Sequence, residues 1–453
     1  MGLNGNLNGF LKVADEIEEN DVSFVWIFWI THSGQHRSRA IPKKHFYDTV
    51  TKNGVALAPV TMVRISLLEK PAPGSGVSLV GEVRVTPDLS TIRTIPWCKQ
   101  DEMVLADLNV KPGQAWELCP RDTFRRVSKI LKDEFDLEIS AGFEIEFYLL
   151  KSITTRDGKE EWIEFDSSPY CCSSTLDVAC PILHEIASAL HSIGIQVEQL
   201  HVETGKSQYE VVLKHTICSK AVDNLVYTRE IIKAIARKHG LLATFLPKYN
   251  LDDVSSGCHA HLSLWQNGRN VFMASDESSK YGISTLGNEF MAGILNHLPS
   301  IFSFIAPLPI SYERLQSTTW GTYLFWGNEN KDAPLRASSS PGTPDGLKSN
   351  FEIKLMDGCA NPYLGLSAII AAGIDGLRRH LTLPEPVDTS PDPETLERFP
   401  KSLSESLEAL HKAKFLEEFF DNKLLTAIRA IQKAEIDHYS KNKDAYKQLI
   451  HRY

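Results

Sequence analysis

Short apolar bursts punctuated by Gly and Pro run from Asn20 to about Leu108 (VSFVWIFWI, GVALAPVTMV, SGVSLVGEVRVT), a spacing that predicts a small β-rich module. Past Lys111-Pro112-Gly113 the period lengthens. Apolar residues recur at helical spacing in Arg121–Asp133, Thr175–Ile193 and Ala221–His239. Strand-like bursts lie between and after them, at Ala141–Leu150, Ile195–Val202, Tyr209–Leu213, Leu242–Leu246, His259–Trp265 and Asn350–Met356. After Asn361-Pro362 the pattern is mostly helical, broken by a loop at Pro384–Pro393. Strands separated by helices, with acids on the strands, predict an α+β fold whose catalytic domain is built on an antiparallel sheet. The change of texture puts the domain boundary near 112, dividing the chain into 1–112 and 113–453.

Length agrees with that division, since 453 residues exceed a usual single core. The 48 basic against 57 acidic residues leave −9, and no basic run reverses that balance, so no nucleic-acid partner is expected. The first twenty residues lack a basic start followed by an apolar core, and Asn6 stands where a myristoylation motif wants Ser or Thr. Val22–Ile30 is too short to span a bilayer, so no membrane partner is expected. The eight cysteines include one adjacent pair, Cys171–Cys172, and no CxxC, which predicts reduced, buried thiols in the cytosol.

Candidate chemistry lies on the predicted strands. In Gly142-Phe-Glu-Ile-Glu-Phe-Tyr, alternation puts Glu144 and Glu146 on one face, about 7 Å apart, where each can hold a hard cation through oxygen. By itself such a pair is as easily a solvated strand face. Glu203 and Glu210 flank a Gly-containing turn that could bring both carboxylates together, or could be a polar hairpin. In Ser256-Gly-Cys-His-Ala-His-Leu-Ser, residues His259, His261 and Ser263 share a face opposite Cys258, Ala260 and Leu262. Two imidazoles on one face of an otherwise apolar strand favour a site over a satisfied core histidine. Arg314, Lys331, Arg336 and Lys354, with Glu352, follow. Cations beside a metal cluster suit phosphate and carboxylate substrates.

The order of these pieces, Glu-x-Glu, Glu…Gln-x-Glu, His-x-His-x-Ser, Arg and Phe-Glu-Ile-Lys, resembles the glutamine synthetase superfamily over nearly the whole chain. Pro87-Asp-Leu-Ser-Thr…Ile95-Pro-Trp, Cys119-Pro-Arg, Thr244-Phe-Leu-Pro-Lys248 and Cys359-Ala-Asn-Pro-Tyr-Leu-Gly extend it. Gly34-Gln-His-Arg, Asp223-Asn-Leu-Val-Tyr-Thr-Arg-Glu and Tyr446-Lys-Gln-Leu-Ile-His-Arg-Tyr are most similar to the nodulin/FluG-type branch of plants and fungi. The resemblance implies a small β-grasp domain before a catalytic domain, and a homo-oligomeric ring with active sites between subunits. It implies a ligase that uses ATP and two or more Mg²⁺ or Mn²⁺ ions to join an acid, by default glutamate, to ammonia or an amine. By motif, Glu146, Glu203 and Glu210 would hold one ion, and Glu144, His259 and Glu352 the second. His261 and Ser263 would face ATP. Arg314 would grip the acid, with Gly257 and Lys354 on the same side, while Lys331 and Arg336 would neutralise the phosphoryl group.

The departures concern the substrate. An acid of the ammonium pocket belongs after Asn53-Gly54, yet no Asp or Glu occurs between Asp48 and Glu69. Another belongs just after Arg314, where Thr318-Thr-Trp320 stands. Trp320 in place of a carboxylate removes a charge and offers an apolar wall, which suits an amine carrying an alkyl or aryl group. Val254-Ser-Ser-Gly257 replaces an expected Asn-Gly-Ser-Gly, and Lys331, Lys354 and Asn350 stand where Arg is usual. Lys keeps the charge but loses the bidentate fork. Three readings follow: an organic-amine ligase, a glutamine synthetase, and a ring-forming homologue without turnover.

Overall fold

In β1 (Phe24–Ile30) Val25, Ile27 and the run Phe28–Ile30 are all buried, which is why the segment reads as a continuous apolar run. The computed structural model describes residues 22–167, 169–275, 279–316, 318, 320–389, 392 and 394–453; the expectations for residues 1–20, and part of the 384–393 loop, lie outside that set. With β1 go β2 (His36–Pro42), β3 (Val55–Leu57), β4 (Val83–Pro87), β5 (Arg93–Ile95), β6 (Cys98–Lys111) and β7 (Gln114–Ala115). They form a sheet of order β2-β1-β6-β4-β3, with β5 and β7 on β6. Its β1–β6 pairing is parallel.

Two of the bursts expected as strands here are mostly something else. Only Val55–Leu57 of GVALAPVTMV is a strand, because Pro59 has no N–H to donate and opens a 3-10 turn over Pro59–Val63. Leu79 and Val80 are 75% and 83% exposed in a loop, and only the end of that burst enters β4.

The second sheet is centred on the long β8 (Glu138–Thr154). Around it lie β9 (Glu160–Glu164), β10 (Val197–Val202), β11 (Gln208–Ile217), β12 (Leu241–Thr244), β13 (Cys258–Gln266) and β14 (Arg269–Asn270). The remaining strands are β15 (Trp326–Asn328), β16 (Leu335–Ser338) and β17 (Asn350–Ile353). The order is β10-β11-β8-β13-β17-β16-β15, antiparallel except for a three-residue parallel pairing of β15 with β16 at the edge. The turn leading out of β15 passes through Glu329 in left-handed backbone, φ 60.

Three helices fall within a few residues of their predicted spans: α1 (Pro120–Phe135), α2 (Ser173–Ser192) and α3 (Cys218–Lys238). Pro120 at the first position of α1 carries no N–H that would need a partner. The periodicity does not announce α4 (Thr285–Ile305), which Ser284 caps through the Gly287 N–H. Helix α5 (Pro309–Gln316) follows it, and α6 (Pro362–Arg379) begins at Asn361, whose side chain accepts from the N–H groups of Tyr363 and Leu364. Helices α4 and α6 cross closely at two glycines: a Cβ on Gly293 would stand 2.3 Å from the Ala372 carbonyl oxygen, and one on Gly376 2.2 Å from that of Glu289. Helices α7 (Leu403–Lys412) and α8 (Asn422–Lys441) bring the chain near its end.

Between the sheets, Arg121 of α1 is ion-paired with Asp88 (3.2 Å), Asp107 of β6 (3.1 Å) and Asp223 of α3 (2.6 Å). Asn361 Nδ2 donates to the Thr31 carbonyl at 2.9 Å, which ties the start of α6 to the turn after β1. All eight cysteines are free thiols; Cys171 and Cys180 are exposed, contrary to the expectation of burial, because both lie near the exposed start of α2. Among the described residues no helix is long and apolar enough to cross a membrane.

Candidate active site

Strand register assembles the site. Opposite residues on neighbouring strands share a face, and three such rows cross the second sheet. The first runs His201 (β10), Glu210 (β11), Glu146 (β8). The second pairs Glu144 (β8) with His259 (β13). The third runs Gly142 (β8), His261 (β13), Glu352 (β17), Arg336 (β16). The acids and histidines singled out from sequence therefore meet on one polar face, while Phe143, Ile145, Ala260 and Leu262 are buried behind it.

Distances within the face are those of shared protons or shared ions. His259 Nδ1 lies 3.2 Å from Glu144 Oε2 and 3.3 Å from Glu352 Oε1, and His261 Nε2 lies 3.0 Å from Glu144 Oε1. Glu352, fully buried, also takes Arg336 at 2.6 Å on Oε2 and Lys354 at 2.6 Å on Oε1. Three groupings place their donor atoms within 4.8 Å of one another: Glu144–Glu210–His259, Glu144–His261–Glu352 and His201–Glu203–Glu210. Carboxylate oxygen with one imidazole nitrogen is a donor set for divalent ions such as Mg²⁺ or Mn²⁺, so the residues fit the metals that the sequence implies.

Charge on this face is unevenly settled. Burial alone would raise Glu144, but hydrogen bonds from His259 and His261 outweigh it and hold its carboxyl well below the usual range. Burial disfavours a charged His259, yet its bonds to Glu144 and Glu352 lift it to about 9. Glu210 is left over: burial, with Glu144 and Glu146 nearby, pushes its carboxyl up to about 8. A cluster that makes its own acid hold a proton lacks positive charge, and a divalent cation supplies it.

Not every expected residue joins the cluster in the expected way. Glu146 belongs to none of the three groupings; its Oε2 accepts the Gly257 N–H at 2.8 Å and the Gln208 amide at 2.9 Å. Its Oε1 lies 3.6 Å from His259 Nε2, and in the third grouping His201 stands with Glu203 and Glu210. Its signal was present in the sequence, since His201 and Glu203 alternate on one strand face. Lys331 is exposed in the loop between β15 and β16 and shares none of these contacts. Lys354, expected toward the acid substrate, is paired with Glu352.

Beside the cluster a cavity of about 370 Å³ is lined by Glu144, His215, His261, Ser263, Arg336 and Asn350, among others. Ser263 Oγ accepts from the Trp265 indole at 2.8 Å, and Asn350 Oδ1 faces His261 Nδ1 at 3.0 Å. On the other side Arg314 is 1% exposed and donates to the carbonyls of Lys354 (2.8 Å) and Leu355 (3.3 Å). Its guanidinium lies over the Trp320 ring. Gly257 is wedged between the two halves of the site, since a Cβ there would stand 2.4 Å from Arg314 Nη2 and 2.8 Å from His259 Nε2.

The strand-borne cluster of acids and histidines beside a cavity is a candidate divalent-metal site, and residues 117–450 match the family model "Glutamine synthetase, catalytic domain". The chain belongs to that family, whose members are ligases forming carbon–nitrogen bonds with ATP and divalent metals. It is 31% identical over 433 residues to Type-1 glutamine synthetase 1 of Dictyostelium discoideum, covering 91% of this chain and 86% of that protein. Protein fluG of Emericella nidulans is 30% identical over 95% of this chain, which spans 49% of that longer protein. Gamma-glutamylpolyamine synthetase GlnA3 of Streptomyces coelicolor is 27% identical, over 96% of this chain and 94% of its own. A crystal structure of a glutamine synthase homolog superposes with a TM-score of 0.84 at 25% identity, covering 96% of this chain and 99% of that one.

Proposed function

We propose that this protein is an ATP-dependent carboxylate–amine ligase that forms a γ-glutamyl amide through a γ-glutamyl phosphate, with an organic amine preferred to ammonia. The observation carrying the amine preference is the Trp320 ring packed on the buried Arg314 guanidinium, where an ammonium pocket wants a carboxylate. The similarity to a γ-glutamylpolyamine synthetase supports the same preference.

On this reading Glu144, Glu146, Glu203, Glu210, His259 and Glu352 would hold the divalent ions, Mg²⁺ or Mn²⁺. Bound there, the ions would supply positive charge against the phosphoryl group in transfer. His261 and Ser263 line the cavity that takes the nucleotide. Arg314 grips the acid's carboxylate, and the Gly257 backbone keeps the approach open. The acid's side-chain carboxylate attacks the γ-phosphorus, giving the acyl phosphate and ADP. The amine nitrogen then attacks the acyl carbon, losing a proton and expelling phosphate. Arg336, now on Glu352, and Lys331, now exposed, are the cations that meet the phosphoryl group. We further propose a division near residue 112 into a β-grasp-like and a catalytic domain, a homo-oligomeric ring with sites between subunits, and a cytosolic location.

The test offers purified protein ATP, Mg²⁺ or Mn²⁺, and glutamate. Ammonium, alkylamines, polyamines and aromatic amines are then added in turn while phosphate release is followed. Release with organic amines is expected, and Glu146→Ala should abolish it without unfolding the protein. Release with ammonium only makes the protein a glutamine synthetase, and silence with every amine overturns the ligase reading.

A further inference from the structure

The hairpin of β10 and β11 carries a residue that the expected ligand set leaves out. His201 stands directly opposite Glu210, and Glu203, just past the end of β10, continues the pairing through its N–H to the Gln208 carbonyl and turns its carboxylate to His201. The consequence is geometric: His201 Nε2 lies 3.0 Å from Glu203 Oε1 and 3.7 Å from Glu210 Oε1. Donors on adjacent vertices around an ion with bonds of about 2.1 Å stand roughly 3 Å apart, so these spacings suit a shared ion. Meanwhile Glu146, the acid expected beside Glu203 and Glu210, has one oxygen held by Gly257 and Gln208.

We infer that His201 is an inner ligand of the divalent ion held by Glu203 and Glu210, making this seat a mixed nitrogen–oxygen site that prefers Mn²⁺ or a later transition ion to Mg²⁺. This rests on the ion-dependent reading above and is independent of which amine is used.

Two neighbours set the imidazole. Tyr170 meets it edge-on, ring centroids 5.8 Å apart, and limits its rotation. The Gln199 amide nitrogen lies 3.1 Å from Nδ1, an orientation in which it donates to Nδ1 and Nε2–H points to Glu203. Turned with its oxygen inward, that amide accepts Nδ1–H and leaves Nε2 bare toward the two carboxylates, which is how second-layer groups orient a ligating histidine. Selectivity follows from donor type. Mg²⁺ is hard and keeps oxygen ligands and water, whereas imidazole strengthens binding of transition ions from Mn²⁺ upward in the series. An imidazole added among carboxylates brings no negative charge, so Mg²⁺ gains little from it, whereas a transition ion gains a nitrogen bond.

The experiment reads metal binding on the full chain without turnover. Mn²⁺ and Mg²⁺ affinities are measured by calorimetry, and pulsed EPR of bound Mn²⁺ detects directly coordinated imidazole nitrogen. His201→Gln keeps a donor to Glu203 but has no ring nitrogen, and His201→Asn serves if that variant does not melt cooperatively. His259→Gln removes the imidazole of the neighbouring seat. The inference expects His201→Gln to weaken Mn²⁺ binding by roughly 10-fold or more, and Mg²⁺ by less than about 3-fold. It also expects nitrogen coupling to fall in His201→Gln and to persist in His259→Gln. Parent-like Mn²⁺ affinity and nitrogen coupling in both His201 variants would overturn it, and would leave His201 as a hydrogen-bonding prop for Glu203. Nitrogen coupling with no amine-dependent phosphate release keeps this inference and overturns the ligase reading; release with no His201 coupling does the reverse.

Discussion

The Arg314 guanidinium carbon sits 4.7 Å from the centre of the Trp320 ring. A cation on an indole face is held by the ring quadrupole, which contributes about 0.5–2 kcal/mol as the pair is desolvated. The stack puts the residue proposed to grip the acid and the wall proposed to meet the amine in direct contact. Changing the wall should therefore disturb both substrates.

Trp320→Ala is expected to raise KM for the acid by roughly 2- to 30-fold, the range of that contact. Trp320→Glu should in addition shift the ratio of kcat/KM toward ammonium and away from alkylamines. If the ratio stays at its parent value while the acid KM rises, Trp320 supports Arg314 but does not line the amine pocket.

Gly257→Ala should abolish turnover while barely changing thermal stability. The new Cβ would stand 2.4 Å from Arg314 Nη2 and 2.8 Å from His259 Nε2, so side chains of both halves of the site must move. Activity assays paired with a melting curve check this; a parent-like rate would mean that the two groups tolerate displacement.

Arg121→Ala is expected to destabilise the fold by about 3–5 kcal/mol, because Asp88, Asp107 and Asp223 would lose a shared, largely buried cation. Chemical denaturation reads the loss. Arg121→Lys should recover only part of it, since one ammonium cannot reach as many oxygens as the planar fork. An unchanged midpoint for the alanine variant would show that the three acids find other partners.

Stability should also carry a pH signature from Glu435 of α8, whose Oε1 accepts the Ser66 N–H at 2.6 Å in a fully buried position. Burial pushes its carboxyl from 4.5 up to about 7. The folded state therefore binds this proton more tightly than the unfolded chain does. The resulting stability is complete below about pH 4.5 and is lost as pH rises through about 7, by an amount on the order of 3 kcal/mol. Glu435→Gln mimics the protonated form, so the variant should gain on the parent between pH 5 and pH 8. Urea midpoints of both proteins at the two values check the difference, and parallel slopes would exclude Glu435 as its source.

Alternation along strands was enough to place Glu144 with Glu146, and His259, His261 and Ser263 together, because a pleated backbone sends successive side chains to opposite faces. Helical spacing of apolar residues located α1, α2 and α3 to within a few residues. Helix α4 escaped because it is apolar around much of its circumference, being packed on several sides, so no stripe marks it. Lys331 illustrates a different limit: a motif position names a residue type, whereas its exposure in the loop after β15 is a property of the fold.

By itself, then, the sequence determined which residue types lie on which strand face, and the order of motifs that marks the family. Only the tertiary structure decided who meets whom. Glu144 and His259 are 115 residues apart and become neighbours through the register of β8 with β13. A period of two specifies a face but is blind to register, and register is set by the packing of both sheet faces and by the turns. The register of β10 with β11 put His201 beside Glu210, and the tertiary structure tied one oxygen of Glu146 to Gly257 and Gln208.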